Sequence, residues 1–184
     1  MLPVLETARL ILASPPVLRI LTAITLTVLA LLVTYDRATA REVVAFNGGY
    51  SAGTIVVRTS ERKLYLVLGN GTALRYPVGV GKNGRQWSGN AFVDGKYLRP
   101  DWAAPAEIRR DKPGLPEVIP GGSPRNPMGA AALTLSGGEY AIHGTNVPGS
   151  IGGFVSYGCI RMFNADVLDL FGRVRLGAPV VVLR

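Results

Sequence analysis

The stretch TIVVRTSERKLYLVL, residues 54–68, decides the fold. Thr54 to Thr59 and Lys63 to Leu68 are runs of β-branched, aromatic and aliphatic side chains that suit a pleated surface. Ser60, Glu61 and Arg62 between them make a short turn, so the stretch reads as a hairpin. Just beyond it, Asn70-Gly71 is a strong tight-turn signal and leads into a third strand over Ala73 to Val80. A second hairpin joins Ala131–Leu135 to Tyr140–His143 through Ser136-Gly137-Gly138-Glu139, and Pro179–Leu183 reads as the last strand. Between Gly81 and Pro127 the chain is rich in Gly and Pro, with Trp87 and Trp102 embedded, and reads as long loops over a sheet. One stretch reads as a helix: Asn164 as its cap, Asp166 in its first turn, and Val167, Leu168, Phe171 and Val174 along one apolar face, with Gly177 and Pro179 ending it. The expectation is a mainly β protein, a β-sandwich of mixed sheets or a barrel-like relative, with long Gly/Pro-rich loops and one late helix. No internal repeat is visible.

Upstream, residues 41–53 (REVVAFNGGYSAG) read as a linker, which leaves residues 54–184 as the folded domain. Residues 1–40 have the order of an export signal. Arg9 and Arg19 come first, then an uncharged run from Ile20 to Thr34, then the small residues Ala38-Thr39-Ala40. Cleavage after Ala40 is one reading; an uncleaved N-terminal membrane anchor is the other, although the run is short for a bilayer span of about 20 residues. Either way the expectation is an exported protein of the periplasm or cell envelope, touching the membrane only through this segment.

The formal net charge is +8, and residues 41–184 keep 17 Lys and Arg against 10 Asp and Glu. Such a balance suits polyanionic surroundings or serves solubility. The basic residues are scattered singly, without the run or stripe of a nucleic-acid footprint, so no nucleic-acid partner is expected. The glycines of Gly79-Val80-Gly81-Lys82-Asn83-Gly84 match the spacing of a dinucleotide-binding turn, but the sequence after them has no helical period to hold a pyrophosphate.

Cys159 and His143 are each the single residue of their type. An intrachain disulfide is therefore impossible, and so is a structural zinc site built mainly on Cys and His; neither metal nor cofactor is expected. An unpaired thiol in an oxidising compartment invites a functional explanation. A thiol becomes a good nucleophile when ionised, and an imidazole can take its proton and later return it to a leaving amine. Ser156-Tyr157-Gly158-Cys159 then adds a tight turn whose amides at Tyr157, Gly158 and Cys159 are candidate donors to an oxyanion. Arg161 offers a planar fork of donors suited to a carboxylate. Against these stand plainer readings: Cys159 as a small buried hydrophobe, Arg161 as a salt-bridge partner, and Ser156 and Thr145 as turn residues.

The stretch His143-Gly144-Thr145-Asn146 followed by Ser156-x-Gly158-Cys159-Ile160-Arg161-Met162 resembles the L,D-transpeptidase catalytic domain, often called YkuD. The likeness extends over most of residues 54–184 and takes in Tyr76 to Lys82, Pro100-Asp101-Trp102, Pro120-Gly121-Gly122 and Asn126-Pro127-Met128-Gly129. It implies a β-sandwich whose cysteine forms a thioester with a peptidoglycan tetrapeptide stem, expels the terminal D-Ala, and passes the acyl group to an amine on another stem or to a protein lysine. By this resemblance Cys159 is the nucleophile, His143 the proton donor and acceptor, and Gly144 the backbone carbonyl that orients the ring. Arg161 positions substrate, with Ser156 and Tyr157 beside it. Many members carry histidine where this chain has Tyr157, so no second imidazole assists here; the phenol either donates near the oxyanion or walls the pocket. Two rivals stay open: an L,D-carboxypeptidase that uses water as acceptor, and a wall-binding module without catalysis.

Overall fold

Burial on both faces explains why the opening hairpin carries Ile55-Val56-Val57 without polar alternation. In the computed structural model, which describes residues 41–138 and 140–184, β2 (Ile55–Arg58) pairs antiparallel with β3 (Lys63–Gly69), Ile55 opposite Leu66 and Val57 opposite Leu64. The expected leader at 1–40, and Glu139 of the second hairpin turn, lie outside the described residues. Ile55, Val57, Leu64 and Leu66 point into the main core, together with Leu74 and Tyr76 of β4 (Thr72–Pro77). Val56, Tyr65 and Val67 point the other way and meet Phe46, Val44 and Tyr50.

That second layer corrects the linker reading of residues 41–53. Glu42–Ala45 form an edge strand, β1, antiparallel to β4, and the segment after it folds back over the hairpin. Phe46 is 6% exposed, its ring 4.9 Å from that of Tyr65, with the Arg58 guanidinium over both rings. Burying one such aromatic contributes on the order of 2 kcal/mol toward ordering this glycine-rich stretch.

The strand order in the large sheet is β1-β4-β3-β2-β13-β6-β9-β10-β12. The last strand in sequence, β13 (Pro179–Leu183), lies in its middle, parallel to β2 and antiparallel to β6 (Gly89–Leu98). β6 turns the sheet: Gly89–Phe92 pair with β13, whereas Val93–Leu98 pair with β9 (Ala131–Leu135) across a register shift between Val93 and Gly95. A Cβ at Gly95 would stand 2.5 Å from Thr134 Oγ1, so the bend requires glycine there. β9 pairs antiparallel with β10 (Ala141–His143), and β10 pairs parallel with β12 (Ile160–Arg161). Beyond β12 the sheet returns on itself, because Gly79, leaving β4, exchanges two backbone hydrogen bonds with Arg161 at 2.8 and 2.9 Å. The sandwich of mixed sheets therefore stands.

The region read as loops, Gly81 to Pro127, holds more structure than expected. Besides β6 it contains β5 (Val80–Gly81) paired with β11 (Phe154–Ser156), β7 (Trp102–Ala103) paired with β8 (Val118–Ile119), and a short helix α1 (Ala106–Asp111). The late helix α2 (Asn164–Arg173) buries Val167 and Leu170, with Val174 just past its end also in the core, while Leu168 is 45% exposed. Asn164 does not cap it: Phe163 occupies the cap position, with no side-chain bond. The other end is closed by Lys96 of β6, whose Nζ donates to Phe171 O at 2.6 Å and Val174 O at 2.5 Å, a cation on the terminal carbonyls.

Candidate active site

His143 is the last residue of β10 and Arg161 the last of β12, and the parallel register sets them side by side. Cys159 immediately precedes β12 and falls level with Ala141, two positions before Arg161, so by strand alternation its side chain stands on the same face of the sheet as His143 and Arg161. The fifteen residues between His143 and Cys159 are a loop whose 3-10 turn, Pro148–Ser150, is followed by β11. Thiol, imidazole and guanidinium line one cavity of about 290 Å³, walled by Trp102, Ile108 of α1, Met128 and Tyr140.

The imidazole is fixed in one tautomer. His143 Nδ1 lies 2.7 Å from Gly144 O, which can only accept, so Nδ1 carries the hydrogen and Nε2 keeps its lone pair. Gly144 O is the carbonyl to which the family resemblance assigns the orienting of the ring. The ring is 4% exposed. Burial and the neighbouring Arg161 charge lower its pKa to about 4, against the opposing pull of the Gly144 and Pro127 carbonyls. Burial pushes the Cys159 thiol up, partly countered by the Ala141 backbone and by Arg161. Burial thus favours the neutral form of both the thiol and the imidazole, and the ring's lone pair stays on Nε2.

The tight turn before Cys159 is built by Ser156 and Gly158 together with two aromatic residues, Trp87 and Tyr140, that the sequence did not single out for this role. Gly158 has φ +123°, and a Cβ on it would stand 2.3 Å from the Tyr140 ring. Tyr140 stacks on Trp87 at 5.0 Å, and Trp87 Nε1 donates to Gly158 O at 3.0 Å. Ser156 is 2% exposed; its hydroxyl donates to Cys159 O at 2.6 Å and accepts from Gly158 N at 3.1 Å. The Ser156 hydroxyl and the Gly158 amide are thus bonded within the turn, and Ser156 also lines the cavity.

Tyr157 walls the cavity. Its hydroxyl donates to Asp111 Oδ2 at 2.5 Å, and Lys82 Nζ sits 3.9 Å from its ring centre. That contact, with nearby cations, holds the Asp111 carboxyl below its ordinary range. Arg85 pairs with Glu107, so α1 is tied to the site at both ends. Arg161 lies partly buried, and its Nε has no hydrogen-bond partner among the described residues. On the far side of the histidine loop, Asn164 Oδ1 accepts from Ala130 N and Thr145 N, both at 3.0 Å, and its Nδ2 donates to Thr145 O at 3.0 Å. Asn126 gathers the loops: Nδ2 lies 2.9–3.1 Å from the carbonyls of Pro100, Ile119 and Pro120, and Oδ1 accepts from Met128 N. Those bonds draw together the stretches around Pro100, Pro120 and Asn126. Among the described residues no group of three or more His, Cys, Asp or Glu could hold a metal ion.

Residues 52–182 match the family model of the L,D-transpeptidase catalytic domain, YkuD. The chain is 41% identical over 136 residues to the probable L,D-transpeptidase ErfK/SrfK of Salmonella typhimurium, which covers 70% of this chain and 43% of that protein. It is 38% identical over 130 residues to the putative L,D-transpeptidase YkuD of Bacillus subtilis, covering 71% and 65%. The chain thus spans less than half the length of the enteric relative. Among solved structures, the catalytic domain of the Enterococcus faecium L,D-transpeptidase has a similar fold, with TM-score 0.57 and 20% identity over 74% of this chain and all of that one. L,D-transpeptidase 3 of Mycobacterium tuberculosis, in complex with a faropenem-derived adduct, gives TM-score 0.55 and 17% identity over 72% and 60%.

Proposed function

The chain belongs to the L,D-transpeptidase catalytic-domain family, and from that premise we propose that Cys159 takes the acyl group of a peptidoglycan tetrapeptide stem as a thioester, releases D-Ala, and passes the acyl group to an amine. The observation that carries this reading is the neutral Cys159–His143 pair in a common cavity, with the ring anchored through Nδ1. His143 Nε2 accepts the thiol proton as sulfur attacks the stem carbonyl, and the same proton goes to the departing D-Ala nitrogen as the C–N bond breaks. The oxyanion formed in between is met by the amides of Tyr157 and Cys159. Arg161, whose Nε has no hydrogen-bond partner among the described residues, binds a stem carboxylate. The acceptor amine, of a second stem or a protein lysine, then attacks the thioester. Apolar walls from Trp102, Ile108 and Tyr140 disfavour water as acceptor. Residues 54–184 would act in the envelope after export through residues 1–40.

The test incubates the purified protein with disaccharide-tetrapeptides and identifies the products by mass spectrometry. D-Ala release with cross-linked dimers is expected; tripeptides alone would make the enzyme a carboxypeptidase, and unchanged substrate a wall-binding module. A faropenem adduct should map to Cys159 and vanish in Cys159→Ala. An adduct on Ser156 would overturn the assignment.

A further inference from the structure

A cavity of about 330 Å³ lies where the turn between β3 and β4 meets the segment that follows β1. Phe46 N holds the two together by donating to Gly71 O at 2.7 Å. From this turn β3 and β4 run about 20 Å, at about 3.3 Å per residue, before the chain passes Pro77 and Gly79 meets Arg161, so the cavity is remote from the thiol. In a chain of net charge +8, no charged side chain among the described residues lines it. Its apolar surface comes from Phe46, Val67 and the ring of the half-buried Tyr50. Its polar side chains are neutral: the exposed amides of Asn47 and Asn70 and the Tyr50 hydroxyl. None of these three side chains has a hydrogen-bond partner among the described residues. The remaining lining is glycine, which leaves the space beside those groups open. A Cβ on Gly48 would stand 2.8 Å from the Tyr50 ring, and one on Gly71 would stand 3.3 Å from Asn47 Oδ1.

We propose that this cavity binds one ring of a neutral saccharide and docks the domain on the glycan strand of the wall while Cys159 works on the stems. A sugar ring presents a face of C–H bonds to an aromatic side chain, and a rim of hydroxyl and acetamido groups that both donate and accept. A primary amide also donates and accepts, so Asn47 and Asn70 can meet that rim without any charge. A phosphate or carboxylate finds no counter-ion here, and a wholly apolar ligand would strip water from the amides without replacing it. The volume suits a single ring, at the lower end of the roughly 300–1,000 Å³ of small-molecule pockets. A glycan held at one end of the β3–β4 hairpin keeps its stems near the catalytic end, which raises their effective concentration at the thiol. Saccharide binding needs no chemistry at Cys159; the docking role rests on the reading of the stems as substrate.

The experiment titrates the isotope-labelled protein with chitotriose, the N-acetylglucosamine trimer, and follows its backbone amides by NMR. Residues 47–50 and 69–71 should shift and saturate together, while residues 156–161 stay in place. Asn47→Ala with Asn70→Gly removes both amides. Asn70 has φ +52°, which glycine adopts freely, and both side chains are exposed, so melting temperature should stay at the wild-type value. The double variant should bind the trimer at least about tenfold more weakly, the effect of two lost hydrogen bonds. It should release D-Ala from a sugar-free tetrapeptide at the wild-type rate, but from intact wall at least about threefold more slowly. Shifts absent from the cavity, or equal affinity in the double variant, overturn the saccharide site with the catalytic reading intact. Weakened trimer binding with unchanged turnover of intact wall overturns the docking role. Absence of turnover by wild type on both substrates overturns the catalytic reading and the docking role with it.

Discussion

At neutral pH the His143 ring is uncharged and the Cys159 thiol keeps its proton, so this site differs from a preformed thiolate–imidazolium pair. Alkylation by iodoacetamide reports thiolate, and its rate should climb about tenfold per pH unit from neutrality upward. A plateau between pH 5 and 8 would show an ion pair instead. The same shift makes stability depend on pH. The folded ring binds its proton with a pKa of about 4 against 6.5 when unfolded, so the unfolded state holds more protons between those values. Stability is therefore lost as pH falls through that window, by at most on the order of 3 kcal/mol. His143→Gln should flatten this part of the melting-temperature profile; an identical slope in the variant would contradict the burial of a neutral ring. Gly158 carries a different constraint. Gly158→Ala adds both backbone strain and a clash with Tyr140, at a cost of roughly 2–5 kcal/mol. It should lower melting temperature and abolish thioester formation, as followed by intact-mass measurement. Cys159, His143 and Arg161 were legible in the sequence because two of them are single residues of their type and all stand in recognisable company. Trp87, Tyr140 and Asn164 were not. Trp87 meets Gly158 across 71 positions, and Asn164, placed as a helix cap, works as a strut for the histidine loop.

The elements that read poorly are those whose pattern was set by a bend or a contact. β6, GNAFVDGKYL, has its alternation interrupted at Gly95, where the register shifts and the sheet turns, which made the longest strand look like loop. β1 read as linker because the strand it joins lies far along the sequence. α1 is six residues long, with prolines before and after it, and no residue in it is buried, so no apolar face announced it. Its position depends instead on Tyr157–Asp111 and Arg85–Glu107. Because Ile108 walls the catalytic cavity, loosening α1 should weaken substrate capture before it affects chemistry. Tyr157→Phe and Asp111→Asn should each raise KM for the stem peptide by about fivefold, the effect of one lost hydrogen bond, with little change in kcat. The double variant should be no worse than either single one. Additive effects would show that the two residues act separately.

Across the whole molecule, the halves of the large sheet are joined by β13. It pairs four residues with β2 on one side and four with β6 on the other, and it buries Val180 and Val182 in the common core. The stability of a domain this size is about 5–15 kcal/mol. Two buried valines contribute roughly 3–6 kcal/mol of that before the two ladders are counted. A chain ending at Ala178 should therefore show no cooperative thermal transition by circular dichroism, whereas loss of Arg184 alone should be tolerated. A sharp melt in the shorter chain would mean that β2 and β6 find another way to close.

A strand at the centre of the sheet that lies far along the chain has a consequence in time. During synthesis β2, β3 and β4 emerge from the ribosome well before the seam that unites them with β6, β9 and β10. Until β13 has emerged, the half-sheets on its two sides have no common partner, and the core that Val180 and Val182 complete cannot close.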